Sequence, residues 1–166
     1  MGRFGDLSLN IDATYLQTLD VVRNELLTEL ANDPVFAGQL SELQVDRIEL
    51  DGNPEWRGSA SLRWRLADFG AGVAVRYMSE FLDTSADLDQ NEDGVPEYWN
   101  VDDHTRWNVF ADYRFGVGAV EELRVRLGVN NVTDEAPPLV DESLGYAPEY
   151  HSLKGREFYL QVTAEF

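Results

Sequence analysis

The stretch of the sequence that could most directly bind a ligand is DLDQNEDGVPEYW, residues 87–99, where oxygen-bearing side chains alternate. The candidate metal ligands are Asp89, Asn91, Asp93 and Glu97. In a calcium loop, alternate oxygen ligands surround a hard cation and a glycine, here Gly94, permits the sharp turn. The bidentate glutamate of an EF-hand falls on Asn100 here, so Glu97 would have to close a shorter loop. The stretch therefore predicts either a calcium site or a solvated acidic loop.

Arginine is the second residue type whose placement could carry a function. Lys154 is the only lysine, whereas eight arginines share the polar phase of segments that alternate apolar and polar residues. These arginines are Arg57, Arg63, Arg65, Arg76, Arg106, Arg114, Arg124 and Arg126. Arginine concentrated on one face favours pairing with carboxylates inside a partly enclosed, wet space, because the planar guanidinium matches a carboxylate. A solvent-exposed sheet face is the alternative that the sequence leaves open.

The sequence contains no pattern that indicates a catalytic site. Its two histidines, His104 and His151, stand at the borders of strands and loops, and neither has the spacing of a metal motif or a catalytic triad. We interpret both as ordinary loop residues. We therefore expect a protein that is not an enzyme and that needs no cofactor, apart from the calcium considered above.

Composition limits the partners that the chain can have. Its 166 residues carry a net charge of −18, from 31 acidic and 13 basic residues, which speaks against nucleic acid as a partner. It has no cysteine, so it offers neither a disulfide framework nor a cysteine-based zinc site. No apolar run approaches the ~20 residues of a transmembrane helix, but barrel strands are too short and too polar for that test to find.

Six segments alternate apolar and polar residues with the period of a β-strand. They cover residues 4–19, 56–66, 69–81, 104–115, 121–130 and 155–166. In the fourth segment Phe110 departs from the pattern, by falling on the polar side. Each segment is near the ~9–11 residues with which a tilted strand crosses a bilayer. The pattern predicts an all-β, antiparallel up-and-down meander of about six strands, whose apolar face must be covered by lipid or by a second sheet.

The connections between these segments alternate in length. Ala67-Asp68 and the glycine-bearing residues 116–120 are short turns, whereas segments 20–55, 82–103 and 131–155 are long. In a meander, this alternation places the long loops at one end and the short turns at the other, which is typical of outer-membrane barrels. Apolar residues at helical spacing, including Val22, Leu26 and Leu30, predict a small helical element in the first long loop.

Three motifs carry a resemblance to a known family. They are GNPEWRGSASLRW at residues 52–64, GVNNVTDEAPP at residues 128–138, and the closing GREFYLQVTAEF at residues 155–166. Together they resemble the C-terminal part of TonB-dependent outer-membrane receptors, in which the second motif usually has phenylalanine where this chain has Thr133. The resemblance covers residues 50–166 well and the first 50 residues loosely.

The resemblance implies a barrel of about 22 strands, closed by an N-terminal plug domain, that imports a scarce ligand with energy relayed by TonB. Residues 1–166 would then be the C-terminal barrel segment, with the plug domain and the earlier strands absent, and the long loops would be extracellular. The implied partners are outer-membrane lipid of a Gram-negative bacterium, the plug domain, TonB, and the barrel assembly machinery, which reads the terminal aromatic, here Phe166. The ligand stays open among siderophores, cobalamin, oligosaccharides and similar molecules.

A different class of protein also fits the alternation. A soluble all-β binding module, calcium-dependent and directed at carbohydrate, would pack the same apolar faces sheet on sheet. The two hypotheses differ in what covers the leucine, valine and aromatic side of the strands. A second sheet over that side would favour the soluble module.

Overall fold

The computed structural model of the protein describes residues 4–20, 29, 33, 46–85, 97–118, 120–141 and 145–166. These residues contain eight β-strands: β1 (Asp6–Tyr15), β2 (Trp56–Leu66), β3 (Phe69–Met78), β4 (Phe81–Asp83), β5 (Trp99–Val101), β6 (His104–Val117), β7 (Val120–Asn130) and β8 (Glu157–Glu165). Among the described residues, no helix has the length and apolar character needed to cross a membrane.

The long strands form one six-stranded sheet in the order β1-β2-β3-β6-β7-β8, and each strand is antiparallel to the next. This confirms the predicted all-β meander. The two remaining strands, β4 and β5, pair with each other inside the long connection between β3 and β6, and Leu82 of β4 also forms an isolated bridge with Leu50. The alternation did not predict these two strands. The third predicted strand, residues 69–81, is longer than the observed one, because β3 ends at Met78 and Phe81 belongs to β4.

The two short connections lie at the same end of the sheet. Leu66 pairs with Phe69, so Ala67 and Asp68 form a two-residue turn in which Ala67 has a φ of 50°. At the next short turn Val117 pairs with Val120, after a register shift between Phe115 and Val117. We call this end the inner end and the end that carries the long connections the outer end.

The sheet has one apolar face, and large side chains on it are exposed. Leu9, Leu127 and Leu160 lie on three different strands of this face and are 60%, 62% and 64% exposed. Among the described residues no second sheet lies against this face, because the β4–β5 hairpin meets the six-stranded sheet at Met78, which pairs with Arg57 and so lies on the other face. The soluble sandwich predicts buried side chains here, so the described structure does not support it.

The buried apolar residues lie in the outer-end connections rather than in the sheet. Phe81, Val101, Val140 and Ala147 form one cluster, against which Met78 of β3 packs. These residues come from β3, the β4–β5 hairpin and the last long connection, so the cluster joins segments that are far apart in the chain. It gives the outer end of the sheet a small core of its own.

The carboxylate of Asp51 helps to hold this outer end together. It accepts hydrogen bonds from the backbone amide of Thr84 at 2.9 Å, from the Thr84 hydroxyl, and from the guanidinium of Arg47 at 2.6 Å. Burial tends to raise the pKa of Asp51, but these hydrogen bonds outweigh it and hold the pKa below its usual value. Asp51 therefore ties the first long connection to the second as a carboxylate.

Two predictions fall on parts of the chain that the structure does not describe. The helical element predicted near residues 22–30 falls in a segment, residues 21–45, of which the structure describes only Glu29 and Asp33. Val22, Leu26 and Leu30, on which the prediction depends, lie outside the described residues. Asp89, Asn91 and Asp93 of the predicted calcium loop also lie outside them. Both predictions stay predictions.

Candidate functional site on the arginine-bearing face

Strand register places all eight singled-out arginines on the face of the sheet opposite the exposed leucines, because paired residues share a face. We call this the polar face. The two ends of the polar face differ in how their arginines are paired.

Asp112 of β6 is the centre of a charged cluster near the inner end. Arg124 Nη2 lies 2.7 Å and Arg126 Nη2 lies 3.2 Å from Asp112 Oδ1, and Arg65 Nη2 lies 3.3 Å from Oδ2. The Asp112 side chain is wholly buried, while the three arginines are 22–32% exposed. We call these four residues the inner cluster. A buried carboxylate needs such compensation, because an unpaired buried charge is very costly.

The inner cluster depends on a glycine in the strand between its members. Gly70 of β3 pairs directly with Asp112, and a Cβ on Gly70 would lie 2.8 Å from Asp112 Oδ2 and 3.1 Å from Arg65 Nη2. Because Gly70 has no side chain, Arg65 of β2 can reach across β3 to a carboxylate on β6.

The aromatic residue that breaks the alternation packs beside this cluster. Phe110 pairs with Gly72, and a Cβ on Gly72 would lie only 2.5 Å from Cε1 of Phe110. The guanidinium of Arg126 stands 4.2 Å from the centroid of the Phe110 ring, in a cation–π contact. Phe110 therefore fills the space above a glycine and supports an arginine of the inner cluster.

The outer end of the polar face has a groove of about 460 Å³. Its lining includes Arg57, Arg76 and Arg106, which we call the outer arginines. Among the described residues none of the three forms an ion pair. Arg57 donates to the carbonyl oxygen of Gly52 at 2.5 Å, and Arg106 donates to that of Lys154 at 3.0 Å. Arg76 and Arg106 pair directly across adjacent strands, so two like charges face each other.

The two histidines line the same groove and contact each other. The ring centroids of His104, at the start of β6, and His151, in the last long connection, are 5.0 Å apart and the rings meet edge to face. Both residues are more than nine-tenths buried, and none of the four ring nitrogens has a hydrogen-bond partner among the described residues. Burial, and then the neighbouring His104, lower the pKa of His151 to about 4. The sequence did not predict that the fold buries these two residues against each other.

The motif that follows β7 forms a compact turn. Asn131 is wholly buried at a φ of 52°; its Oδ1 accepts from the Glu135 amide at 3.0 Å and its Nδ2 donates to the Glu135 carbonyl oxygen at 2.8 Å. Asp134, at a φ of 60°, accepts from the backbone amide of Arg156 at 2.7 Å. Asparagine and aspartate tolerate this left-handed region better than most residues. The motif therefore positions the approach to β8, and its polar residues have structural partners.

The remaining predicted site residues stay untested. Of the calcium ligands only Glu97 is described, and the described residues contain no group of three or more side chains suited to a metal ion. Phe166 follows β8 directly and is 89% exposed, which leaves its predicted role in barrel assembly a prediction.

Comparison with known protein families gives one match. A family model described as TonB dependent receptor-like, beta-barrel, matches residues 2–132, which contain β1 to β7. Neither curated proteins nor solved structures give a match.

Proposed function

This chain belongs to the TonB-dependent receptor β-barrel family, and we propose that it forms part of the barrel wall of a receptor that imports a scarce ligand across the outer membrane. The family is one of outer-membrane transporters of Gram-negative bacteria and not one of enzymes. The observation that carries the proposal is a single sheet whose two faces differ. One face exposes large apolar side chains, and the other buries a carboxylate among arginines.

We propose that the apolar face contacts hydrocarbon and that the polar face lines an aqueous lumen. The five apolar positions of β1, from Leu7 to Tyr15, are all exposed, and the same face of the interior strand β7 exposes Leu127. The edges of β1 and β8 each lack a strand partner on one side among the described residues, as in a segment that joins further strands to close a barrel. Long loops at residues 20–55, 82–103 and 131–155 would then be extracellular, because both tight turns lie at the other end.

The proposed partners follow from this orientation. They are outer-membrane lipid along the apolar face, the plug domain within the lumen, TonB as the source of energy, and the barrel assembly machinery acting on Phe166. The family supports TonB and the plug domain as partners in general. The ligand class stays open at this level among siderophores, cobalamin, oligosaccharides and similar molecules.

Cysteine labelling in native membranes tests the orientation, because this chain contains no cysteine of its own. Leu160→Cys and Val162→Cys place a label on the apolar face of β8, and the neighbours Gln161→Cys and Thr163→Cys are matched controls on the polar face. The label is an environment-sensitive fluorophore, and the quencher is a lipid confined to the bilayer core. We expect quenching at 160 and 162 and none at 161 and 163. Equal quenching at all four positions would sink the proposed orientation.

Uptake assays test the transport function itself. A strain lacking the gene is compared with its parent for uptake of a labelled ferric siderophore, cobalamin and an oligosaccharide, with and without functional TonB. We expect one of these ligands to lose its high-affinity uptake in the deletion strain and also in the strain without TonB. Uptake that depends on the protein but not on TonB would contradict the proposal.

A further inference from the structure

We infer that the outer groove binds an oxyanionic group, a carboxylate or a phosphate, of the imported ligand. This inference rests on the proposed function, because the groove faces the lumen only if the polar face does. It restricts the candidate ligands to molecules that carry a carboxylate or phosphate group. The observation that carries it is that three arginines without an ion pair and two buried histidines without a hydrogen-bond partner, all judged within the described part of the chain, line one cavity.

The charge of the groove is opposite to that of the protein as a whole. The chain has a net charge of −18, yet Arg57, Arg76 and Arg106 line one groove without an ion pair among the described residues. A guanidinium presents its N–H groups in a fixed fork that fits carboxylate and phosphate oxygens. An oxyanion between Arg76 and Arg106 would remove the repulsion between two like charges that pair directly across β3 and β6.

Two carboxylates also line the groove and limit its positive charge. Asp12 of β1 and Glu149 of the last long connection are both lining residues, but neither forms an ion pair with the outer arginines. Together with three arginines they leave a net charge of +1 on the lining, counting the histidines as neutral. The lining therefore keeps a net positive charge, and its arginines, unlike those of the inner cluster, have no carboxylate in ion-pair contact among the described residues.

The histidines supply an observation that is independent of the arginines. His104 and His151 are 8% and 7% exposed, and their ring nitrogens have no hydrogen-bond partner among the described residues. A buried donor or acceptor without a partner is costly, so such groups normally meet a ligand or ordered water. A neutral imidazole carries one N–H donor, and in this groove an oxyanion oxygen can accept from it.

Tyr150 gives the groove a wall that suits the carbon skeleton of such a ligand. Its ring lies 5.7 Å from the guanidinium carbon of Arg57 and packs on Gly52, where a Cβ would overlap the ring. Tyr150 therefore packs against Arg57, and its ring also contacts Phe81 edge to face. The arginine is positioned by a rigid aromatic rather than by a carboxylate, which leaves its charge available.

Calorimetry on the intact receptor in detergent, at low ionic strength, tests the inference with defined probes. The probes are tricarballylate and inorganic pyrophosphate as oxyanions and sucrose as a neutral solute. We expect both oxyanions to bind and sucrose not to bind. Arg76→Gln and Arg106→Gln should each weaken oxyanion binding by roughly tenfold or more, because each removes a charge-assisted hydrogen-bond donor. The matched control is Arg63→Gln, an arginine of the same face that lies outside the groove.

The results that would overturn the inference are specific. The inference is wrong if neither oxyanion binds the wild-type receptor, or if both bind the Arg76→Gln variant as tightly as they bind the wild type. The inference is also wrong if Arg63→Gln weakens oxyanion binding as much as Arg76→Gln does. Binding would then depend on the total positive charge of the polar face and not on the groove. Arg76→Gln should fold, since it relieves a like-charge pair, and its thermal unfolding checks this. A receptor that takes up only neutral ligands in a TonB-dependent manner would overturn this site while leaving the transport function in place.

Discussion

The inner and outer ends of the polar face use the same residue type in opposite ways. At the inner end Arg65, Arg124 and Arg126 share the buried carboxylate of Asp112. At the outer end the three arginines of the groove have no carboxylate partner among the described residues. The inner arginines therefore hold strands together through a shared carboxylate, whereas the outer arginines keep guanidinium charge that no ion pair in the described part of the chain neutralises.

The energetic consequences of the two arrangements differ as well. A buried carboxylate is tolerated because several donors compensate for its lost hydration, so the inner cluster is coupled tightly to folding. Arg57 and Arg106 donate to the carbonyl oxygens of Gly52 and Lys154, which stabilises their side chains without neutralising them. The inner end should therefore be sensitive to mutation in stability, and the outer end in binding.

The largest effect is expected at Asp112. Asp112→Ala leaves three guanidiniums close together without their shared carboxylate, and we expect it to lower the free energy of unfolding by about 3 kcal/mol. Urea unfolding of the intact receptor in lipid vesicles measures the change.

Two further substitutions bracket this result. Asp112→Asn keeps the shape but removes the charge, so it should fall between wild type and Asp112→Ala. Glu122→Gln removes the half-exposed partner of Arg114, where the N–O distance is 3.4 Å, and should cost less than about 1 kcal/mol. If Glu122→Gln lowered the free energy of unfolding as much as Asp112→Ala, the burial of the carboxylate would not be what makes Asp112 important for stability.

A second test changes the packing of Phe110, the aromatic residue that contacts Arg126 of the inner cluster. Gly72→Ala places a methyl group where the ring of Phe110 lies and so displaces the ring that Arg126 covers. We expect a loss of about 1–3 kcal/mol in the free energy of unfolding, because overpacking forces neighbours out of place. Gly116→Ala is the control, since its nearest neighbour, the Glu121 carbonyl oxygen, would lie 3.5 Å away.

Combining Gly72→Ala with Phe110→Leu checks the cause. The smaller side chain should recover part of the loss, because it no longer meets the new methyl group. A double variant as unstable as the sum of the two single variants would instead show that Gly72 matters for a reason other than the packing of Phe110.

The sheet and its two faces were predictable from sequence because a strand encodes its faces locally. Alternation assigns each residue to a face without any knowledge of its neighbours in space, and even the exception at Phe110 was visible. The centre of the inner cluster was not predictable in this way. Arg65 and Asp112 are 47 residues apart, and only the register of three strands brings them together across Gly70.

The outer groove was hidden for a related reason. His104 and His151 meet only because the last long connection folds back onto the start of β6, and no local pattern encodes that closure. The motif around Asn131 and Asp134 was recognisable by resemblance, but its role in shaping the turn follows from backbone angles and hydrogen bonds. The only feature of the sequence that bears on the groove is that both histidines stand at the borders of strands and long connections.

Neutralising one arginine from each end should change stability in opposite directions. Arg124→Gln removes the shortest contact to Asp112 and should lower the free energy of unfolding by about 1 kcal/mol, a modest value because the guanidinium is 32% exposed. Arg76→Gln relieves the like-charge pair with Arg106 and should raise it by about 0.2–1 kcal/mol. Both are read from the same urea titrations, and a loss of stability in Arg76→Gln would show that Arg76 has a structural partner after all.

The smallest effect is a local response of the outer end to acid. The pKa of His151 is about 4 in the docked loop, below the 6.5 of an exposed imidazole. As the pH falls through 6.5, the undocked loop therefore binds a proton before the docked loop does, and docking weakens progressively until the pH reaches about 4. The reporter is hydrogen exchange of the His151 amide, which donates to the Ala147 carbonyl oxygen at 2.9 Å.

Between about pH 7.5 and about pH 5, protection of that amide should fall after correction for intrinsic exchange rates. Strand amides beside Asp112 are the internal control and should keep their protection, because the inner cluster contains no histidine and its carboxylate stays paired. His151→Gln should reduce the pH dependence, since glutamine does not titrate, and any remainder is expected from the neighbouring His104. If protection fell equally at both ends, acid would be destabilising the whole sheet. The predicted difference in pH sensitivity between the outer end, which contains His151, and the inner cluster would then be wrong.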